Sequence, residues 1–187
     1  TMFRQARKLE PYRCEGLEYY STSLWHLKNE VELSYLAQSA TEFDKLSPLT
    51  WIVVGNCLSL QKEHDTALKF FRRAIQLDPH SAWAYTLSAH EFVANEDFEK
   101  ALCGFRQAIG VNPRHYNAWY GMGNIYFRQE KYELAAYHFQ RVISFYRCMN
   151  STEPHFPHFF RLYQSTSGTR FSIVTSGWYC MLAQNLT

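Results

Sequence analysis

His90 and Glu91 come closest, among the residues of this chain, to a catalytic motif. A zinc protease needs a second His four residues after the first, and Ala94 stands at that position. Zinc-type ligands also occur late in the chain, at Cys148, His155, His158 and Cys180. The sequence spacings between these four residues do not match the short spacings of paired zinc ligands. Because no nucleophile with an adjacent base, no paired carboxylates and no glycine-rich phosphate loop stand out either, we expect no metal, no cofactor and no enzyme activity.

Composition and charge narrow the class of function further. Apolar residues make up 47% of the 187 residues, which is enough to bury a core. The net charge of +2 comes from the segment after residue 146, so the rest of the chain is neutral. A neutral body lacks the clustered cations that bind phosphates, and no apolar run reaches the ~18 to 20 residues that span a bilayer. We therefore expect neither a nucleic acid nor a membrane as a partner.

The cysteines and the start of the chain bear on its compartment. There are five cysteines, an odd number, and they form no C-x-x-C pair. Together with the absence of a secretory leader, this favours a reducing compartment. Cys57 and Cys103 fall in helical patterns and are predicted to be small core residues. The opening Thr1-Met2 indicates a piece of a longer product or a mistaken gene model.

Self-similarity with period 34 organises the chain. Large aromatic, small, large apolar, small, Phe, small and Pro recur at fixed offsets. The first copy is Trp51, Gly55, Leu58, Ala67, Phe71, Ala74 and Pro79, the second is Tyr85, Ala89, Phe92, Ala101, Phe105, Ala108 and Pro113, and the third is Trp119, Gly123, Tyr126, Ala135, Phe139 and Val142. In the third copy Arg147 stands where the closing proline is expected.

Each copy predicts a pair of antiparallel helices. Small residues let two helix backbones approach closely, and the aromatic residues fill the space between them. Proline ends the second helix because it cannot donate a backbone hydrogen bond and restricts the residue before it. The pattern predicts helices over 48–61, 64–77, 82–95, 98–110, 116–129 and 132–145.

These residues resemble the tetratricopeptide repeat (TPR) family, whose signature is W-x2-L-G-x2-Y, A-x3-F and Pro. The resemblance implies an all-α solenoid of helical hairpins, wound as a right-handed superhelix, with an irregular C-terminal tail. It divides the chain into a segment over 1–13, a degenerate repeat over 14–47, repeats over 48–81 and 82–115, an incomplete repeat over 116–146 and a divergent, poorly ordered tail over 147–187. The tail is a solenoid cap, an alternative C-terminus or a mistaken gene model.

Further strings, which the general signature does not require, make the resemblance more specific. They are Glu15-Gly16-Leu17, Tyr20-Ser21-Thr22, Leu24-Trp25-His26-Leu27, Gly55-Asn56-Cys57, Gln61 to Asp65 and Asn112 to Tyr120. They resemble the TPR subunits of the anaphase-promoting complex, a ubiquitin ligase of mitosis and cell division. The resemblance implies a non-enzymatic scaffold of the nucleus and cytoplasm that assembles with other subunits and binds activator proteins ending in Ile-Arg. It also implies homodimerisation, but through N-terminal repeats that this chain lacks.

The binding surface of such a solenoid is lined by the first helix of each repeat. The position after the signature small residue reads Asn56, His90 and Asn124, a polar row that can hydrogen-bond an extended peptide. The predicted site adds Ile52, Ser59, Trp83, Thr86, Tyr120 and Phe127, with Glu91 as a partner for a basic ligand group. The alternative for each polar residue is ordinary solvation on an exposed face.

A second kind of peptide-binding adaptor is the chaperone co-factor with a carboxylate clamp. That family places a Lys and an Asn on the first helix of one repeat, an Asn on that of the next, and a Lys and an Arg on that of the third. This chain has Ile52 with Asn56, then Leu87, then Asn117 with Gly121 at those positions. Only Asn56 matches, so the residues favour the scaffold over the clamp.

Overall fold

The computed structural model describes residues 13–149, together with Gln5 and Leu9, and side chains of the continuous segment as far as Phe145. This segment contains eight α-helices and no strand. They are α1 (Leu17–His26), α2 (Glu30–Phe43), α3 (Pro48–Leu60), α4 (His64–Leu77), α5 (Ala82–Ala94), α6 (Phe98–Val111), α7 (Tyr116–Arg128) and α8 (Tyr132–Met149). The predicted all-α fold of paired helices is confirmed.

The six helices predicted from the repeat all begin at the expected residue. The clearest difference is at the end of α8, which continues to Met149 instead of stopping at residue 145. Pro79 and Pro113 follow α4 and α6, whereas Arg147 occupies the corresponding place and leaves the helix free to continue. Most of the predicted tail over 147–187 and of the segment over 1–13 lies outside the described residues.

The turn inside each helical hairpin repeats as regularly as the helices do. Lys28, Lys62, Glu96 and Glu130 all have positive φ, between 52° and 64°, and they recur with the same period as the signature residues. The residue after each turn donates its N–H to a carbonyl five residues earlier, as from Asn29 to Leu24 at 3.0 Å. This is the Schellman arrangement that ends many helices. Because Lys28 follows the same geometry, residues 14–47 fold as a hairpin of the same kind as the three clear repeats.

The signature residues form the core between the helices. Phe71 and Phe105 have no exposed surface, and the signature alanines of the second helices are equally buried. A Cβ added at Gly55 would collide with the ring of Phe71, and one at Gly123 would lie 2.6 Å from the ring of Phe139. These glycines are therefore required by the close approach of an aromatic ring.

The two cysteines predicted to be core residues differ in burial. Cys57 is buried in α3, as expected, but the prediction for Cys103 is wrong, because its thiol is exposed on α6. Its neighbours Ala101, Phe105 and Ala108 occupy the buried side of that helix, so position 103 is left facing outward. None of the described helices is both long and apolar enough to cross a membrane.

Candidate peptide-binding site

The ten predicted site residues lie on α3, α5 and α7, and we call the surface of these three helices the first-helix surface. The structure divides the residues into two groups of five. The buried group is Ile52, Asn56, Ser59, Thr86 and Glu91. The partly exposed group is Trp83, His90, Tyr120, Asn124 and Phe127.

Asn56 is used inside the fold. Its side chain is only 3% exposed, and its Nδ2 donates to Ser21 Oγ at 2.9 Å and to Thr22 Oγ1 at 3.4 Å. Both hydroxyl groups belong to α1, which packs against α3. Ile52, one turn earlier, has no exposed surface. In this structure α1 therefore occupies the place beside α3 that the sequence assigned to a peptide.

Glu91 is the centre of a buried polar network. One carboxylate oxygen accepts from Ser59 Oγ at 2.6 Å, and the other lies 2.7 Å from His64 Nδ1. Ser59 Oγ in turn accepts from Trp25 Nε1 at 3.1 Å. The network joins α1, α3, α4 and α5, and Glu91 itself is 6% exposed. Both oxygens of the expected partner for a basic ligand are thus already engaged. Thr86 is engaged too, since its hydroxyl donates to the Ala82 carbonyl at 2.9 Å.

The α7 part of the surface is different. Asn124 is partly exposed, and its amide makes no side-chain hydrogen bond with any described residue. Tyr120 and Phe127 lie one turn before and one turn after it, so the three share one side of the helix. The Tyr120 ring lies against Phe139 and the Phe127 ring against Tyr132, which fixes both rings while leaving them partly exposed.

His90 connects the two parts. Its ring meets Phe105 edge-on, with 5.0 Å between centroids. Burial, together with the positive charges that His26 and His115 can carry, lowers the pKa of His90 to about 4. The ring is therefore neutral at pH 7 and can donate one hydrogen bond and accept another.

An aromatic group that the sequence did not reveal lies beside Trp83. The Trp83 ring contacts the ring of Tyr19 in α1, with 4.9 Å between centroids, and the ring of His115, with 5.2 Å between centroids. His115 is 8% exposed, and burial lowers its pKa to about 4. One sequence signal could have identified His115. It is the N-cap residue of α7, whereas the N-cap residues of α3 and α5 are Ser47 and Ser81. Tyr19 lies in the degenerate repeat and gave no such signal.

The described residues contain no cluster of His, Cys, Asp or Glu that could hold a metal ion. The zinc-type residues His155, His158 and Cys180 lie outside the described part of the chain. What the first-helix surface offers is hydrogen-bonding groups and aromatic rings on rigid helices, which is an arrangement suited to binding a peptide.

The chain belongs to the tetratricopeptide repeat family. Family models for this repeat match residues 48–81 and 86–147, together just over half of the chain. A solved structure described as the crystal structure of the APC/C hetero-tetramer Cut9-Hcn1 superimposes with a TM-score of 0.71 at 16% identity, covering 75% of this chain and 27% of that one. At that identity the likeness supports the fold alone.

The more specific resemblance is confirmed by two fungal relatives. The chain is 51% identical to Protein bimA of Emericella nidulans over 140 residues, and 51% identical to Anaphase-promoting complex subunit 3 of Schizosaccharomyces pombe over 141 residues. Each match covers 75% of this chain. The chain spans only 17% and 21% of the length of these two relatives.

Proposed function

We propose that this chain is part of a scaffold subunit of the anaphase-promoting complex, without chemistry of its own, that works in the nucleus and cytoplasm. The support is its 51% identity, over 75% of its length, with a relative named Anaphase-promoting complex subunit 3. The described residues also form packed helical hairpins. Its partners in this proposal are the other subunits of the complex and its activator proteins.

The activator tail, ending in Ile-Arg, binds along α5 and α7. The observation that carries this proposal is Asn124, an amide without a hydrogen bond among the described residues, set between partly exposed aromatic rings. Asn can donate to and accept from a peptide backbone without requiring a particular sequence. Tyr120 offers a ring face to the guanidinium of the tail arginine. The buried residues, including Asn56 and Glu91, hold α3 and α5 in place beneath this surface.

The test is a fluorescence polarisation titration with a labelled peptide that ends in Ile-Arg. The wild-type chain is compared with Asn124→Ala and with Gln107→Ala. The second change removes an exposed amide from α6, which is not one of the helices of the first-helix surface. We expect Asn124→Ala to weaken binding by about 1 to 3 kcal/mol, because peptide groups lose their partner. Gln107→Ala should bind like the wild type. Equal affinities for all three proteins, or no binding by the wild type, would contradict the proposal.

A further inference from the structure

The four tryptophans of the described segment do not have equally satisfied indole groups. Trp25 Nε1 donates to Ser59 Oγ at 3.1 Å, Trp51 Nε1 to the Lys45 carbonyl at 3.0 Å, and Trp119 Nε1 to the Pro113 carbonyl at 2.9 Å. Trp83 Nε1 is buried, but it has no hydrogen-bond partner among the described residues. Most buried donors are paired in folded proteins, so an unpaired one calls for an explanation.

A second unpaired atom lies on the ring that touches Trp83. His115 Nε2 is buried and has no hydrogen-bond partner in the described part of the chain, and the two rings meet edge-on with 5.2 Å between centroids. Two other buried polar atoms, Glu18 Oε2 and His138 Nδ1, also have no partner among the described residues. The Trp83 and His115 atoms stand apart because they belong to rings in mutual contact. A single group that contacted both rings would satisfy the two atoms together.

The chemistry of the two rings defines that group. An indole N–H can only donate, so the missing partner must be an acceptor. A neutral imidazole with its proton on Nε2 donates in the same way, and burial keeps His115 neutral at pH 7. A carboxylate has two acceptor oxygens and forms stronger hydrogen bonds than a neutral carbonyl does.

We propose that Trp83 and His115 form a subsite for the C-terminal carboxylate of a bound peptide. This inference rests on the proposed peptide-binding function and adds which atoms of the chain receive the end of the tail. Trp83 is one of the site residues predicted from the sequence. The structure adds its N–H donor, and it adds His115, which the repeat pattern did not place in the site.

The experiment compares two labelled peptides ending in Ile-Arg, one with a free carboxylate and one with a C-terminal amide. The proteins are the wild type, Trp83→Phe, which keeps a ring but removes the N–H, and the matched control Trp119→Phe, whose N–H already donates to a carbonyl. We expect the wild type and Trp119→Phe to prefer the carboxylate peptide by roughly tenfold or more, and Trp83→Phe to lose most of that preference. A ¹H–¹⁵N spectrum of the wild type should also show the Trp83 indole signal, assigned by triple-resonance spectra of the wild type itself, shift downfield with the carboxylate peptide alone.

The outcomes separate this inference from the proposed function. If the wild type binds both peptides equally, or if Trp83→Phe keeps the preference, the carboxylate lies elsewhere and only an ordered water satisfies the two rings. In that case the proposed function stands and the subsite is refuted. If the wild type binds neither peptide, both fail. The indole signal decides the matter even if Trp83→Phe is poorly folded, because it is read on the wild-type protein.

Discussion

Asn56 and Asn124 occupy the same position of their repeats, two periods apart, and yet the structure uses them differently. Asn56 is closed in by α1 and donates to Ser21 and Thr22. Asn124 keeps a partly exposed amide with no side-chain bond in the described segment. The first-helix surface thus has a closed part, formed by α3 and the buried residues of α5, and an open part, formed by α7 and the partly exposed residues of α5. The neighbouring repeat, as much as the position within a repeat, therefore decides whether a residue is available to a ligand.

The largest expected effect tests whether the closed part and the open part of the first-helix surface both lie on a well-packed core. Phe71 lies behind the closed part and Phe105 behind the open part, and both are fully buried. Replacing either with Ala should lower the free energy of unfolding by about 3 to 5 kcal/mol, because each change leaves a cavity. Denaturant unfolding of both variants measures this. A surface-like cost, below about 0.5 kcal/mol, for Phe105→Ala alone would mean that the open part lacks a packed core.

The next effect concerns pH and belongs to the open part. His90 and His115 have a folded pKa of about 4, below the ordinary value of 6.5. Between these pH values the unfolded chain binds protons at the two rings that the folded chain does not bind. Stability is therefore full above about pH 6.5 and falls as the pH is lowered towards 4, by at most about 3 kcal/mol for each ring.

The control for this pH dependence is the variant with both His90→Gln and His115→Gln. It should lose less stability than the wild type between pH 7 and pH 4.5, when both are followed by thermal unfolding. The carboxylates that titrate in the same range are unchanged in the variant. Identical pH profiles would show that the two rings are not protected from protonation in the folded chain.

A smaller effect tests the close packing of the Phe71 ring on Gly55, behind the closed part. Gly55→Ala would drive a Cβ into the buried ring of Phe71, and we expect a loss of about 1 to 3 kcal/mol. Gly110→Ala is the matched control, because a Cβ there would meet nothing within 4 Å. Gly110 is the last residue but one of α6, so that change should stabilise the chain by at most roughly 0.5 to 1 kcal/mol, the value for a helix interior. Equal melting temperatures for the two variants would contradict the assigned packing.

Much of the fold could be predicted because the repeat encodes it locally. The small and aromatic residues at fixed offsets place every helix start from Pro48 onward, and the missing proline at Arg147 accounts for the extension of α8. The turns at Lys62, Glu96 and Glu130 could not be predicted, since a positive φ ordinarily favours glycine. Their geometry is imposed by the hairpin as a whole.

The site was less predictable because it depends on contacts between repeats. Period 34 identifies Asn56 as a first-helix residue, but only the packing of α1 shows that Ser21 and Thr22 satisfy its amide. The same holds for Glu91, whose partners Ser59 and His64 belong to the preceding repeat. His115 was missed because it lies just before a helix and outside the signature.

The most direct test of the division into a closed and an open part measures stability and peptide affinity on the same two variants, Asn56→Ala and Asn124→Ala. Asn56→Ala should lower the free energy of unfolding by about 1 to 3 kcal/mol, because Ser21 loses its buried partner, while its Kd for the Ile-Arg peptide stays near the wild-type value. Asn124→Ala should change stability by less than about 0.5 kcal/mol and raise the Kd. If Asn56→Ala instead weakens binding without loss of stability, or if Asn124→Ala destabilises the chain without affecting the Kd, the closed and open parts have been assigned the wrong way round.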